Sequence, residues 1–216
     1  MGEDKATLLF AGKTLAERSV DRMRLVASRV AICGDRPELS ALAPVLSDPI
    51  TEAGPLAALV TALEDAAKRG MDTLAVVLAV DLPLLPWETL HWLVQRAKVS
   101  GAAATIPLVA ERPQPTCAVY RSALAPALRK QLLAGERKLM RAVEVACTKP
   151  NQFDLFDFAA VLPERRRNLL PIWFTNVNTA EDLARAEAVH AAEVHAAKLR
   201  SVEARAQQAD ADRRVW

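Results

Sequence analysis

The sequence predicts an α/β protein built on an open sheet, and three observations carry that prediction. Residues 74–80, within TLAVVLAVDLPLLP, are uninterruptedly apolar and end on one acid, Asp81, with Pro83 and Pro86 behind it. A short apolar run of this kind, containing β-branched residues and bounded by breakers, reads as a fully buried strand of a parallel sheet. Further strand-like runs stand at VAIC (30–33), AAATIPL (102–108) and CAVYRS (117–122). Between them lie LAALVTALEDAAKRG and WETLHWLVQRA, whose apolar residues recur at helical spacing.

Taken in order, ATLLF predicts a short strand, Ala11-Gly12-Lys13 a turn, and Thr14 the N-cap of a helix running to Leu25. After VAIC, Gly34-Asp35-Arg36-Pro37 reads as a loop, and residues 38–46 as a short stretch of helical character. A loop starting at Asp48-Pro49 reaches Gly54-Pro55, where a free turn and a preset first dihedral open a helix that stops at Gly70. Pro86 opens the next helix. ERPQPT is a proline-rich loop, and residues 123–146 are helical with a break at Gly135. The run of Arg165, Arg166 and Arg167 reads as a solvated loop.

In FTNVNTAEDL (174–183), Asn176 and Asn178 alternate and share one face of an extended segment. Thr179 caps the next helix with Asp182 three residues on, an acidic variant of the capping box. The chain beyond is Ala-, Glu- and Arg-rich with a thin apolar face, a helical charged tail over 191–216 after a domain of residues 1–190. His190 and His195, five apart, read as solvated.

Composition limits the function. The chain has 216 residues, 51% hydrophobic and 25% charged, enough for one sizeable core. A net charge of +2 is no electrostatic footprint for nucleic acid or an acidic membrane. Cys33, Cys117 and Cys147 are scattered without metal-site spacing, which argues against zinc or a disulfide framework and for a reducing cytoplasm. Glu3, Asp4 and Lys5 leave no signal peptide at the start, and no apolar run approaches the ~20 residues of a membrane span. None of the seven glycines forms a G-x-G or P-loop pattern. Asp81, at the carboxyl end of a buried strand, stands where ligands of open α/β sheets gather. A carboxylate there suits Mg²⁺ shared with phosphate oxygens; capping the following helix or making a turn is the other reading.

In their order, DKATLLFAGKTL, DPITEAGPLAAL, VDLPLL, RPQPTCAVYRSAL, AGERKLM and FTNVNTAEDL resemble the molybdenum cofactor guanylyltransferases over about residues 1–190. The resemblance implies a Rossmann-like three-layer α/β/α nucleotidyltransferase fold with a mostly parallel sheet. It also implies transfer of GMP from GTP to molybdopterin with release of pyrophosphate. Asp81 matches the family's Mg²⁺ ligand, and Lys5 a nucleotide-contacting lysine. Asp48 matches an acid on the ribose or base side, while Gly54, Pro55 and Leu56 match the helix start lining the nucleotide site. Asn176 and Asn178 match the motif beside the metal and the pterin phosphate, and Pro115 and Thr116 a loop on the acceptor side. The paired asparagines of NVNT favour the guanylyl over the cytidylyl branch. The implied protein is a monomer that hands its product to a molybdoenzyme or its chaperone.

Two departures stand out. Where the family commonly shows a nucleotide-touching asparagine, this chain has Cys33, read as a buried strand residue. The family's first strand and Gly-rich loop lie immediately before the Met-Gly of the first motif, where this chain begins. Either both lie upstream of Met1, which is the favoured expectation, or the chain is a truncated, non-catalytic relative; a cytidylyltransferase or another nucleotidyltransferase of the same fold is the alternative activity, and the chain as written is expected to be poorly active.

Overall fold

The computed structural model describes residues 4–48, 50, 53–70 and 72–213, with side chains through residue 196. Met1-Gly2, Pro49 of the expected loop and the end of the expected tail lie outside the described residues.

Asp4 opens the described chain by accepting the Ala6 N–H at 3.2 Å, capping a 3₁₀ turn, Lys5–Thr7, where the sequence reads as strand. Extended structure is confined to β1 (Leu9–Phe10), which turns through Ala11 (φ 49°) and Gly12 (φ 81°) into β2 (Lys13–Thr14). Two consecutive residues in the left-handed region make the turn tight, and Gly12 takes it without a Cβ penalty. Thr14 then caps α1 (Leu15–Arg24) as expected, in a full capping box with Glu17.

VAIC contributes only β3 (Ile32–Cys33), which pairs in parallel with β4 (Val45–Leu46). The second strand falls in the stretch read as helical, of which only a 3₁₀ turn at Pro37–Leu39 bears that out. Helix α2 (Pro55–Ala67) follows Gly54, whose φ of 71° explains the glycine. It leads to β5 (Leu74–Leu78). Next come α3 (Trp87–Ser100), β6 (Ala104–Val109), β7 (Arg112–Pro113) and β8 (Cys117–Arg121). Pro86 is the N-cap of α3 and not its first residue. A further 3₁₀ turn enters α4 (Ala125–Leu133), and α5 (Leu139–Ala146) follows a break at Gly135 (φ 90°), as predicted. DLFD, not read as a strand, forms β9 (Phe153–Asp157). Three single-turn helices, α6 (Phe158–Val161), α7 (Glu164–Arg167) and α8 (Leu170–Trp173), precede α9 (Ala180–Arg213). The arginine run lies on α7 and is exposed.

β8 pairs β5 on one edge and β6 on the other, β7 extends the β8 side of β6 at Leu108 and Val109, and β9 joins the opposite edge of β6. β6 and β9 are parallel, and β8 runs against both β5 and β6, so β5, β6 and β9 share one direction. Alternation along the strands builds two cores. Ala75, Val77, Ala118 and Tyr120 face α2, α4 and α5; Leu74, Val76, Cys117 and Val119 face α3, α6 and α8. The result is the expected three-layer α/β/α fold. β5 departs from the expectation in being half-buried throughout and antiparallel to its one ladder partner, because only its β8 edge is paired.

A smaller core joins the two ends of the chain. Phe10 and Leu15 pack with Leu84, Val177 and Ala186, and with the partly buried Leu183 and Val189. His190, read as solvated, packs tilted against Phe10 at 5.3 Å between ring centroids, and burial pushes its pKa down. Helix α9 is therefore anchored over its first turns, ahead of the stretch read as tail, through residues whose partners no local pattern reveals.

The fully buried Tyr120 donates its hydroxyl to the Pro115 carbonyl at 2.7 Å. Tyr120→Phe leaves that acceptor without its phenolic donor, so the expected loss is about 1 kcal/mol in urea unfolding. An unchanged midpoint would mean that another donor takes over the carbonyl.

Candidate active site

β5 ends at Leu78, and the chain continues into Asp81 at the carboxyl end of the sheet. Leu82, Pro83, Leu84 and Leu85 behind it are buried, so the acid leaves a rigid loop with its side chain 21% exposed. Two tethers fix that loop. The Asp81 carbonyl accepts the Val177 N–H at 2.9 Å, and the Arg22 guanidinium of α1 donates to the carbonyls of Leu82, at 2.8 Å, and Pro83. Burial pushes the Arg22 pKa down to about 10, which leaves it charged at neutral pH. Arg22 escaped the sequence reading, since one arginine among several on a helix announces no carbonyl partner.

The Val177 bond delivers the asparagine segment. Val177 is buried while Asn176 and Asn178 are exposed, the shared face that alternation predicts. Lys5 reaches across from the first turn of the described chain. Its Nζ donates to Asn178 Oδ1 at 2.5 Å and lies 3.7 Å from Asp81 Oδ2. A cation, a carboxylate and an amide from three remote segments thus meet at one strand end. Asp182 accepts the N–H groups of Asn178, at 3.1 Å, and Thr179, at 3.0 Å, while Thr179 Oγ1 accepts the Asp182 N–H. The backbone bond from Asn178 and the hydroxyl of Thr179 hold the Asp182 carboxyl below its ordinary value. The predicted cap is present, and it also fixes the backbone of Asn178.

The remaining candidates stand apart from this trio. Asp48 is half-buried and accepts the Thr61 hydroxyl of α2 at 2.9 Å; desolvation raises its pKa against that bond. Gly54 and Pro55 form the start of α2, and Pro55 lines a cavity of about 350 Å³ shared with Ala6, Val80 and Thr116. Leu56 is fully buried in the core, so it offers a site only its backbone. Cys33 is half-buried, and burial pushes its thiol up to about 12, leaving an inert side chain. Arg36, read only as a loop residue, bonds Asp4 and Glu38 beside the same cavity.

Among the described residues no three of His, Cys, Asp or Glu cluster as a metal cage. One partly exposed carboxylate beside an amide oxygen fits a hard cation that completes its shell with phosphate oxygens and water, as Mg²⁺ does. Among the described residues, no helix is long and apolar enough to cross a membrane.

The layered α/β domain, with an acid at a strand end, a lysine against it and an amide beside both, is that of a nucleotidyltransferase family. The chain belongs to the MobA-like NTP transferase domain family, whose description matches residues 1–149. It is 32% identical over 189 residues to the molybdenum cofactor guanylyltransferase of Serratia proteamaculans (strain 568), covering 85% of each chain. Its identity to the probable molybdenum cofactor guanylyltransferase of Opitutus terrae is 34% over 197 residues, covering 88% of this chain and 90% of the relative. Among solved structures, the molybdopterin-guanine dinucleotide biosynthesis protein A of Archaeoglobus fulgidus superposes with a TM-score of 0.70 at 25% identity, over 88% of this chain and 92% of that one. The 2-C-methyl-D-erythritol 4-phosphate cytidylyltransferase of Thermus thermophilus shares the fold, with a TM-score of 0.60 at 21% identity over 87% and 94%.

Two substitutions test this geometry. Arg22→Met keeps the packing of the stem and removes the charged donors, and is expected to cost about 2 kcal/mol or more in urea unfolding. Asp182→Ala is expected to lower the thermal midpoint at pH 7. The folded pKa is depressed, so the carboxylate's contribution is present above the unfolded value of 3.8 and is lost as pH falls through the folded one. The gap between variant and parent should therefore persist from pH 7 to pH 4 and close below; a pH-independent gap would assign the effect to packing.

Proposed function

We propose that this protein transfers GMP from GTP to molybdopterin, forming the guanine dinucleotide cofactor and pyrophosphate. One observation carries the reading: Lys5, Asp81 and Asn178 converge at the strand end, in a chain whose relatives with the guanylyltransferase name align over nearly its whole length. In the reaction a phosphate oxygen of molybdopterin forms a bond to the α-phosphorus of GTP. The bond from that phosphorus to the bridging oxygen breaks, and the electron pair leaves with pyrophosphate. Such transfer needs alignment and charge neutralisation more than covalent help from the protein.

Each residue has a role in that arrangement. Asp81 would hold Mg²⁺, which when bound neutralises charge on the phosphate oxygens. Lys5 acts as a point charge on a phosphate oxygen, exchanging its contact with Asp81 for one with substrate. Asn178, its backbone held by Asp182, and Asn176 on the same face present amides to the pterin phosphate. The start of α2 lends the N–H groups of Gly54 and Leu56, on either side of Pro55, and the positive end of the helix dipole to the nucleotide. Asp48 takes the ribose or base side. Work beside the cytoplasmic GTP pool, and delivery to a molybdoenzyme or its chaperone, belong to the same proposal.

The test is competition of GTP, CTP and ATP for Mg²⁺-dependent binding, followed by pyrophosphate release with molybdopterin. GTP should bind best, and preference for CTP would overturn the guanylyl reading. Asp81→Asn is expected to lower turnover at least about 100-fold while leaving the fold intact, since it removes the charge that the cation needs. Full activity in that variant would remove Asp81 from the site.

A further inference from the structure

The turn that carries Lys5 cannot hold itself. Lys5–Thr7 is a 3₁₀ turn of three residues, closed by the Thr7 and Leu8 N–H groups on the carbonyls of Asp4 and Lys5, at 3.1 Å each. A single turn fixes more dihedrals than its bonds offset, and a lysine side chain adds rotamer freedom of its own. Lys5 Nζ is nevertheless delivered to Asn178 and Asp81. Contacts from outside the turn must fix it.

The loop after β3 supplies them on two sides. On the apolar side Ala6 is buried with Ala16 and Leu39, and Val80, next in the chain to Asp81, packs against all three. Leu39 ends the 3₁₀ turn Pro37–Leu39, whose N-cap is Arg36. On the polar side the Asp4 carboxylate is divided between two partners. Its Oδ1 accepts the Ala6 N–H at 3.2 Å, and its Oδ2 accepts from Arg36 Nη2. Arg36 Nε donates in turn to Glu38 Oε1 at 2.6 Å, so one rigid guanidinium fork spans two acids. The pair is partly exposed and adds little to stability. What it fixes is the orientation of the Asp4 carboxylate, and through the cap the direction of the turn. It also neutralises the acid that precedes Lys5, which left alone would compete for the ammonium group or repel a phosphate.

We propose that Arg36 is a positioning residue of this site: by clamping Asp4 in place as the cap of the Lys5 turn, it presents the Lys5 ammonium group to Asp81 and Asn178. Arg36 acts through Asp4, and Glu38 holds the other edge of its guanidinium. That Lys5 then meets a phosphate oxygen rests on the guanylyl-transfer reading; the clamp itself does not.

The test is trace acetylation of the lysines of the full chain, read peptide by peptide, in the parent, Arg36→Met, Asp4→Asn and the double variant. In the parent Lys5, 31% exposed and bonded to Asn178, should label more slowly than Lys68, 74% exposed. Arg36→Met should raise Lys5 labelling at least about threefold, because the charged donor that orients Asp4 is gone. Lys13, paired with Asp21, and Lys68 should not change. Asp4→Asn keeps an oxygen for the Ala6 N–H and loses the charged acceptor, so it should release Lys5 in the same way. The double variant should label no faster than either single one, since both remove one interaction. Unchanged Lys5 labelling in Arg36→Met, or effects that multiply in the double variant, would overturn the proposal. An equal rise at Lys5, Lys13 and Lys68 would overturn it too, by assigning Arg36 to general stability. Binding of GTP with Mg²⁺ is measured on the same four proteins, and its Kd should rise in step with Lys5 labelling. Labelling that follows the clamp while GTP binding does not upholds the clamp and counts against the guanylyl-transfer reading, so the two failures are distinguishable.

Discussion

The strand Cys117–Arg121 is the constraint on which the rest of the molecule depends. It bonds β5 on one edge and β6 on the other, and its first four residues are buried. Its alternate side chains enter the two cores, so no residue of it can be exchanged between faces without placing a mismatched side chain in a packed layer. The register it imposes on β5 fixes where that strand ends, and with it where Asp81 emerges.

From Asp81 the constraint passes on by hydrogen bonds. The Asp81 carbonyl holds Val177, which sets the asparagine pair, and Arg22 holds the two carbonyls behind the acid. These bonds lie next to the polar trio and use backbone atoms or a half-buried guanidinium. The substrate-facing side chains of Asp81, Asn178 and Lys5 are thus free to change partners while their supports stay in place.

Much of this was legible in the sequence, and what was not has a physical reason. The helices of residues 55–67, 87–100, 125–133 and 139–146 announce themselves through periodicity and through breakers at Gly54, Gly70 and Gly135. Thr14 and Asp182 were readable because caps are local chemistry. The two-residue strand Val45–Leu46 has no period to detect, and Phe153–Asp157 sets its acids three apart, off the two-residue period of a strand. The antiparallel run of β8 against β5 depends on a partner chosen across the chain. At the site, the acid, the lysine and the asparagines could be named from motifs. Arg22 and the packing of His190 on Phe10 depend on long-range closure and carry no local sign.

That closure has a consequence for how the protein is made. Lys5 and Asn178, bonded to one another, lie 173 residues apart, and the small core beneath them joins Phe10 to Val177 and Ala186. The sheet and its two main helical layers are encoded earlier and can be packed during synthesis. The polar trio cannot form until the segment containing Asn178 has left the ribosome, because one of its members does not yet exist outside the tunnel. A nascent chain therefore passes through synthesis as a scaffold without a site. It acquires a complete site only when its last helix docks onto its first hairpin.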